Sequence, residues 1–495
     1  MSTAKKFAGQ TVVYGLSTIV QRLLSSLLTP LYTHAYLPKV YSIFSTMFAY
    51  ASIFQALLAF GMETTFFRYL NKFSDKKREV YNNGFWVIFT VTICFLLLTV
   101  PFTHTLAGLI KIGKDIPQGD FELYIKLFIG ILILDAWCVI PFAKLRADNR
   151  PVRYGVVKIV NIVVTVSLNV LFIIVIPHWI KHQLAGWQWI SQWYVHGWVA
   201  YAFLANLISS FITLIMLLPE LLTLQLRFDK AIFRQMIIYS GPILIANLSY
   251  LVNENLDKIL LGKLLPANIS EHEVGIYSAC ARLSIFASLF NQAFRMGAEP
   301  FFFSHAKNKN AGYTYARIMD YFVITMCLMF LGVVANIEIL KHYVNNRAYW
   351  VGLDVVPPLL FGYVALGVYM NLSVWYKLSD QTHYGLYISL VGAIATIILN
   401  VAFIPKYSYM ASAWASLAAY TIMMVLSYIW GQKNYPIPYH LKKNLSYIII
   451  SLILVYLSYY VFKRNIFVGN ALLIVFAGGA LLVEGKELKA MFLKR

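Results

Sequence analysis

Runs of about twenty apolar residues, separated by short polar connections, fill almost the whole of this 495-residue chain. The hydrocarbon core of a bilayer is about 30 Å thick, and about twenty helical residues are needed to cross it. Lipid offers the backbone no hydrogen-bond partners, so such runs are expected to be helices. The runs lie near residues 8–32, 41–60, 83–103, 122–143, 154–177, 198–218, 232–253, 274–296, 313–335, 354–376, 383–405, 409–430, 444–462 and 466–484. We therefore predict an all-α polytopic membrane protein with about 14 transmembrane helices.

Composition excludes several other classes of protein. Hydrophobic residues make up 60% of the chain and charged residues 13%, whereas soluble domains carry about 25% charged residues. The net charge of +20 is spread over short loops, so we predict no nucleic-acid partner. The four cysteines, Cys94, Cys138, Cys280 and Cys327, lie inside apolar runs without the spacing of metal ligands. We predict neither a bound metal nor a cofactor.

An internal repeat divides the chain into two similar halves. Gly61–Phe67 and Gly297–Phe303 share the pattern G-x-E-x-x-F-F. Further matches follow at nearly the same spacing: Lys144-Leu145, Tyr154-Gly155 and Leu168-Asn169-Val170 recur as Lys377-Leu378, Tyr384-Gly385 and Leu399-Asn400-Val401. Chance similarity in an apolar sequence is the alternative. Two membrane halves are typical of secondary transporters, so we predict two six-helix lobes, 1–225 and 226–435, with two additional helices and a tail in 436–495.

The distribution of lysine and arginine predicts the orientation. With the N-terminus inside, the cytoplasmic segments carry 25 of the 41 Lys and Arg residues, the outer loops 11 and the apolar runs 5. Cytoplasmic loops of membrane proteins are enriched in these residues. We therefore predict a multi-pass membrane protein, in contact with membrane lipids and with both termini in the cytoplasm.

Motifs for enzymatic chemistry are absent from the sequence. It contains no G-x-x-x-x-G-K-[ST] and no H-E-x-x-H, so direct drive by ATP is not expected. A membrane glycosyltransferase or polymerase needs acidic catalytic residues, and the outer-loop acids Asp115, Asp120, Glu271 and Glu273 show no paired arrangement. We predict that the protein is not an enzyme.

Two arginines inside apolar runs are the strongest candidates for cargo binding. A charge at the centre of a membrane helix costs about 2.5–3.5 kcal/mol and needs a partner or water. Arg22 lies about 22 Å from the inner start of the first helix, and Arg282 about 12 Å from the outer start of the eighth, which brings them to similar depths. Two guanidinium groups at one level suit phosphate or pyrophosphate oxygens. The alternative is ion pairing with an intramembrane acid, namely Glu63, Asp135, Glu254 or Asp257.

The repeated glutamates, Glu63 and Glu299, fall near the predicted cytoplasmic ends of helices two and eight. Arg68 and Arg295 lie close to them in sequence. We predict that such residues form ion pairs between the two halves, as an inner gate that breaks when the cavity opens inward. Anchoring of the helix ends at the lipid head groups is the alternative.

Other polar residues complete the predicted substrate-binding set. Asn255, Asp257 and Lys258 crowd the outer end of the seventh helix, and Gln292 lies in the eighth. For three more polar residues inside apolar runs, Asp135, Asn169 and Asn400, hydrogen bonds between helices are expected instead of cargo binding.

Several stretches resemble the polysaccharide-unit flippases of the multidrug/oligosaccharidyl-lipid/polysaccharide exporter superfamily, and the similarity covers the whole chain. These stretches are Pro141–Asn169, Tyr239–Pro242 with Asn255–Lys258 and Val274–Ala279, and Asn371–Leu378 with Leu399-Asn400 and Ile404-Pro405. The resemblance implies twelve core helices in two lobes, two further helices, and a cavity between the lobes. It also implies alternating access for an oligosaccharide linked to undecaprenyl pyrophosphate, in the synthesis of lipopolysaccharide O-antigen or capsule.

In related peptidoglycan-precursor flippases, arginines of helices one, two and eight line the cavity. Arg22 and Arg282 match in helix and depth, whereas Arg68 matches less well because it lies at or beyond the inner end of helix two. Drug exporters of the superfamily bind cations through acids, and this first helix has an arginine instead. A drug/cation antiporter and a membrane glycosyltransferase are the alternatives. A polymerase and glycosyltransferases are the protein partners that a flippase would have.

Overall fold

The computed structural model describes residues 20–111, 117–225, 228–306, 310–379 and 381–492. All regular elements of these ranges are helical, and the described residues contain no strand. Twelve helices among them are long and apolar enough to cross a membrane. The predicted all-α membrane fold is confirmed, and the described part of the chain supplies twelve of the fourteen predicted spans.

Two predicted spans fall outside this set of twelve. The run near 198–218 forms an apolar helix, Ala200–Met216, of only 17 residues. The run at 8–32 lies largely outside the described residues, which begin at Val20. The count of fourteen therefore stays a prediction.

Contacts divide the chain into two compact units, Met1–Gly275 and Ile276–Arg495. The helices of unit 1 are α1 Leu28–Ala35, α2 Pro38–Ala59, α3 Met62–Lys72, α4 Lys77–Thr99, α5 Thr103–Ile110, α6 Gln118–Ala147, α7 Pro151–Val170, α8 Ile176–Lys181, α9 Trp187–Trp193, α10 Ala200–Met216, α11 Leu218–Leu221 and α12 Lys230–Leu264. The helices of unit 2 are α13 Ser270–Ala281, which begins in unit 1, α14 Ile285–His305, α15 Ala311–Ala335, α16 Ile337–Leu340, α17 Val356–Leu372, α18 Val374–Leu378, α19 His383–Tyr407, α20 Tyr409–Asn434, α21 Leu441–Tyr456 and α22 Ile466–Phe492.

The boundary between the units lies later than the predicted lobe boundary at residue 225, because α12 packs against α2 and α3. A buried core of unit 1 forms where α2, α3, α4, α6 and α12 meet, around Leu58, Met62, Phe66, Ile88 and Met236. The predicted lobe boundaries stay a prediction.

Asp229 fixes the start of α12. Its carboxylate accepts hydrogen bonds from the backbone N–H groups of Ile232 (3.1 Å) and Ala231 (3.0 Å), and from Lys76 Nζ (3.1 Å). The Ile232 N–H bond and the Lys76 bond hold the pKa of Asp229 below its usual value. This is the N-cap arrangement that satisfies the free N–H groups of a first helical turn.

A buried asparagine makes the same bonds in both units. Asn169 donates from Nδ2 to the Thr165 carbonyl (2.8 Å) and accepts from the Tyr32 hydroxyl (2.8 Å). Asn400 likewise donates to the Thr396 carbonyl (2.8 Å) and accepts from a hydroxyl on another helix. The two asparagines, and the two threonines that they bond, occupy equivalent positions of the sequence repeat. The expected structural role of the two asparagines is confirmed, and the repeat extends to their bonds.

The last two long helices are held to α15 by a cluster of charges. Asp320 and Glu484 are 2% and 3% exposed. Lys443 Nζ lies 3.4 Å from Asp320 and 2.7 Å from Glu484. His440 adds a 2.7 Å contact to Asp320, and the Tyr447 hydroxyl donates to Glu484 (3.0 Å). Lys443 thus forms ion pairs with two buried carboxylates that belong to two different helices.

Polar contacts also join these helices to unit 2 elsewhere. Asp354 Oδ1 accepts bonds from Arg464 and Tyr459, both at 2.7 Å. The side-chain amides of Asn336 and Asn470 form two reciprocal hydrogen bonds, of 3.1 and 3.0 Å. The predicted additional helices of 436–495 are therefore an integral part of unit 2.

Replacement of Lys443 by Met is expected to destabilise the protein severely. It leaves Glu484 buried without a cation, a loss of about 3–5 kcal/mol for a broken buried pair. Lys442→Met is the matched control, because the neighbouring Lys442 is exposed. Thermal unfolding in detergent measures both variants; similar unfolding temperatures would contradict the assigned role of Lys443.

The predicted orientation is testable with introduced cysteines and an impermeant thiol reagent. Cys94 is exposed and must first be replaced by serine, whereas the other three cysteines are buried. Single cysteines at Lys77, Arg150 and Lys442 should resist reagent added from outside. A cysteine at the exposed Gln188 should react. Outside labelling of the first three would reverse the topology.

Candidate functional site

A tight turn places Glu63 at the start of α3. Phe60 and Gly61 both have left-handed backbone angles, with φ of 50° and 63°. A Cβ at Gly61 would lie 3.1 Å from the Ser240 carbonyl oxygen, so glycine is required for this close approach. Glu63 then contacts Arg146, in the last turn of α6. This ion pair ties α3 to α6 inside unit 1.

Unit 2 contains a corresponding ion pair. Lys377 Nζ, on α18, lies 2.5 Å from Glu299 on α14. Glu299 is the repeat counterpart of Glu63. Lys377, which the repeat matches with Lys144, lies within two residues of the position equivalent to Arg146. We call these two pairs the braces. Both are partly exposed, so each contributes modestly to stability.

The predicted gate partners, Arg68 and Arg295, lie elsewhere. Arg68 stacks over the ring of Tyr239, with its guanidinium carbon 4.1 Å from the ring centroid. Arg295 lines a cavity of unit 2 that Glu299 also lines. The observed ion pairs therefore join helices of one unit, which favours bracing. The gate itself stays a prediction.

A break in a membrane helix exposes Arg282. Residues Arg282–Ser284 form a 3₁₀ turn between α13 and α14, and Leu283 and Ser284 are buried while the Arg282 side chain is exposed. A tighter turn inside a long helix often marks a functional position. Arg22 is also exposed, in a helical stretch of residues 20–26 of unit 1. Their joint contact with one ligand stays a prediction.

Most of the acids that could neutralise these arginines have other partners. Glu63 forms an ion pair with Arg146. The Asp135 carboxylate lies near the Ser210 hydroxyl and near Lys158. This polar contact between α6, α7 and α10 agrees with the expected role of Asp135 between helices.

The predicted binding residues of α12 bond mainly to their own helix. Lys258 Nζ lies 3.2 Å from Asp257 Oδ1 and 3.1 Å from the Glu254 carbonyl oxygen. Asn255 is half-buried, as is Gln292 on α14 of unit 2. Their contact with cargo stays a prediction. Asp257, another of the acids that could neutralise the arginines, therefore has Lys258 beside it.

Sequence reasoning missed two buried amides in unit 2. Asn291 and Asn371 line the same cavity as Arg295 and are 3% and 4% exposed. In the sequence they resemble the structural asparagines Asn169 and Asn400, since all four lie in apolar runs. Only the hydrogen bonds distinguish the two pairs of asparagines. Asn291 Oδ1 and Asn371 Nδ2 have no hydrogen-bond partner among the described residues.

Comparisons with known proteins agree with this architecture. The profile of the family described as polysaccharide biosynthesis protein matches residues 7–304. Among curated proteins, no sequence matches the chain significantly. Solved structures share the fold: a lipid II flippase MurJ in an inward closed conformation has 13% identity and a TM-score of 0.74, covering 96% of this chain and 100% of its own. A MATE transporter in the straight conformation has 11% identity and a TM-score of 0.62, covering 87% and 95%.

Charge exchange is expected to show whether the braces act within each unit. Glu63→Arg and Arg146→Glu should each lower the unfolding temperature slightly, because each leaves two like charges together. The double variant should restore it. Glu299→Lys with Lys377→Glu is the corresponding test in unit 2.

The gate and the brace differ in a second measurement. Under the gate hypothesis, Glu63→Gln and Glu299→Gln increase the labelling of cavity cysteines from the cytoplasm. If the pairs only brace each unit, the glutamine variants leave that labelling unchanged, and charge exchange restores the unfolding temperature. Increased labelling together with failed restoration would contradict the bracing role.

Proposed function

Because this chain belongs to the polysaccharide biosynthesis protein family, we propose that it is a flippase for a lipid-linked oligosaccharide. It is a multi-pass helical membrane protein with the fold of known flippases and transporters. The proposed cargo is a repeat unit carried on undecaprenyl pyrophosphate. Alternating access moves the cargo from the cytoplasmic to the outer leaflet of the bacterial inner membrane.

The exposed arginines inside apolar helices carry this proposal. Arg22 and Arg282 form no ion pair among the described residues. An unpaired charge in a membrane helix is costly and marks a functional position. Two of the four candidate acids, Glu63 and Asp257, form ion pairs with other residues, and Asp135 lies near Lys158. An anionic ligand is therefore the partner that these guanidinium groups lack.

The chemistry of the cargo fits two guanidinium groups. A diphosphate must be carried past a hydrocarbon core in which an unpaired anion is strongly disfavoured. Guanidinium offers planar, paired N–H donors that match two phosphate oxygens at once. Arg22 and Arg282 would hold the diphosphate, while the braces keep the helices of each unit together during the conformational change.

The proposed cargo implies protein partners on both sides of the membrane. Glycosyltransferases would assemble the oligosaccharide on its lipid before transport, and a polysaccharide polymerase would use it afterwards. The product would be a surface polysaccharide such as lipopolysaccharide O-antigen or capsule. These assignments follow from the family and the cargo.

A drug/cation antiporter of the same fold is the second candidate, since MATE transporters share this fold. The charge of the residues that bind the cargo distinguishes the two functions. A cation antiporter depends on acids, so neutral substitutions at Arg22 and Arg282 would leave its transport largely intact. A membrane glycosyltransferase, the third candidate, would transfer sugar as a purified protein.

Substitution of the arginines is expected to abolish export. Arg22→Ala and Arg282→Ala should each reduce transport of the lipid-linked unit about 10- to 150-fold, which corresponds to one charge-assisted bond of about 1.5–3 kcal/mol. Arg22→Lys should restore transport only in part, because lysine cannot bind two oxygens in one plane. Surface polysaccharide and reconstituted transport are the measurements.

Arg78→Ala is the matched control, because Arg78 is exposed near the start of α4, outside the apolar runs. It should transport at the wild-type rate. All variants must reach the membrane in equal amounts. Wild-type transport by both alanine variants at Arg22 and Arg282 would overturn the assignment of an anionic cargo.

A further inference from the structure

Unit 2 contains a narrow cavity where α14, α15, α17 and α18 meet. It leaves room for a group about the size of a water molecule. Its polar lining comes from Asn291, Arg295, Glu299, Asn371 and Lys377. Phenylalanine rings, Phe322 among them, form much of the remaining wall. Buried amides beside aromatic walls and a cationic opening form a site for a polar, anionic ligand.

The two amides at this cavity have unused hydrogen-bonding atoms. Asn291 is held in place because its Nδ2 donates to the Tyr363 carbonyl oxygen (2.8 Å). Its Oδ1 has no donor, and Asn371 Nδ2 has no acceptor, among the described residues. Buried polar groups are nearly always bonded in proteins. A hydroxyl group both donates and accepts, so it has the chemistry that these two atoms lack.

The charged residues of the cavity leave one cation available. Lys377 is bound to Glu299 in the brace. Arg295 is exposed and has no ion-pair partner among the described residues. A free guanidinium beside a neutral ion pair attracts an anion such as phosphate. The cavity therefore offers complementary groups to an anion and to a hydroxyl.

The repeated sequence shows which polar groups of the cavity belong to unit 2 alone. In the register that matches Glu63 with Glu299, Ala59 of unit 1 stands at the position of Arg295. In the register that matches Asn169 with Asn400, Ile140 stands at the position of Asn371. The other polar positions of the cavity are also polar in unit 1, where the brace and Gln55 occupy them. Arg295 and Asn371 are therefore the polar groups that the shared framework does not need.

Gly367 lets the polar wall of the cavity pack closely against α17. A Cβ at this position would overlap the Asn291 amide oxygen and the Phe322 ring. In the register that matches Asn169 with Asn400, the corresponding residue of unit 1 is Ala136, which is fully buried. The glycine of unit 2 thus makes room for the Asn291 amide beside α17.

We propose that this cavity is an entry site that recognises the sugar attached to the diphosphate of the lipid carrier. A sugar hydroxyl donates to Asn291 Oδ1 and accepts from Asn371 Nδ2, while Arg295 contacts the adjacent phosphate. Arg282 precedes Arg295 by thirteen residues, about 20 Å along a helix. One diphosphate therefore contacts Arg295 first, at the predicted cytoplasmic end, and Arg282 later. This inference rests on the proposed function.

Binding to the purified full-length protein in detergent tests the entry site. The probes are undecaprenyl diphosphate and the same lipid carrying a single glucose, galactose or N-acetylglucosamine. The wild type should bind at least one sugar-bearing lipid about tenfold more tightly than the bare lipid, since two hydrogen bonds are added. Asn371→Leu should lose this preference and keep the affinity for bare lipid. Arg295→Gln should weaken the binding of both kinds of lipid.

Gln55→Leu is the matched control from unit 1. Gln55 is the counterpart of Asn291 in the register that matches Glu63 with Glu299, and it also has a buried oxygen without a partner among the described residues. This variant should keep the sugar preference. Asn371→Leu should unfold at the wild-type temperature or above, because it removes an unsatisfied polar group; a marked loss of stability would show a structural role instead.

The outcomes separate the entry site from the proposed function. If the wild type binds undecaprenyl diphosphate but prefers none of the three sugars, the entry site is overturned and the flippase proposal stands. The same holds if Asn371→Leu retains the preference, as it would if a water molecule filled the cavity. If the wild type binds none of the lipids, both proposals fail together.

Discussion

The cost of a charge in hydrocarbon governs most of this structure. A charged or strongly polar side chain inside a bilayer needs a partner, because neither water nor lipid satisfies it. The pairing of Lys443 with both Asp320 and Glu484 follows this rule and attaches the last two long helices to unit 2. Lys158 near Asp135 follows it in unit 1.

Against this background, the groups without partners are the informative ones. Arg22 and Arg282 are exposed and form no ion pair among the described residues, and Asn371 has an unused donor in a buried position. Unsatisfied groups of this kind are costly to maintain. A ligand that satisfies them in part of a transport cycle accounts for their presence. The proposed cargo, a sugar linked to a lipid diphosphate, has the anionic and hydroxyl groups that complement all of them.

Duplication separates structural residues from functional ones within a single chain. The braces and the bonds of Asn169 and Asn400 recur in both units, so they belong to the shared framework. Part of the polar cavity of unit 2 does not follow the repeat, since Ala59 and Ile140 stand at the positions of Arg295 and Asn371. The two halves thus keep one framework and differ where recognition is proposed.

The membrane helices were predictable from the sequence because the length and apolarity of a span are local properties. The repeat was also visible, and so were the unusual positions of Arg22 and Arg282. The partners of charged residues were not predictable. Glu63 pairs with Arg146, 83 residues away, and not with the nearby Arg68, because helix packing brings distant residues together.

The sequence likewise could not distinguish Asn371 from Asn400. Both are asparagines in apolar runs, and both lie in buried positions. A neighbouring hydroxyl satisfies the amide oxygen of Asn400, whereas the amide nitrogen of Asn371 has no partner among the described residues. Sequence alone determined that this protein spans a membrane with a duplicated, cationic framework. Tertiary structure decided which polar groups are satisfied, because hydrogen bonding depends on positions that only packing defines.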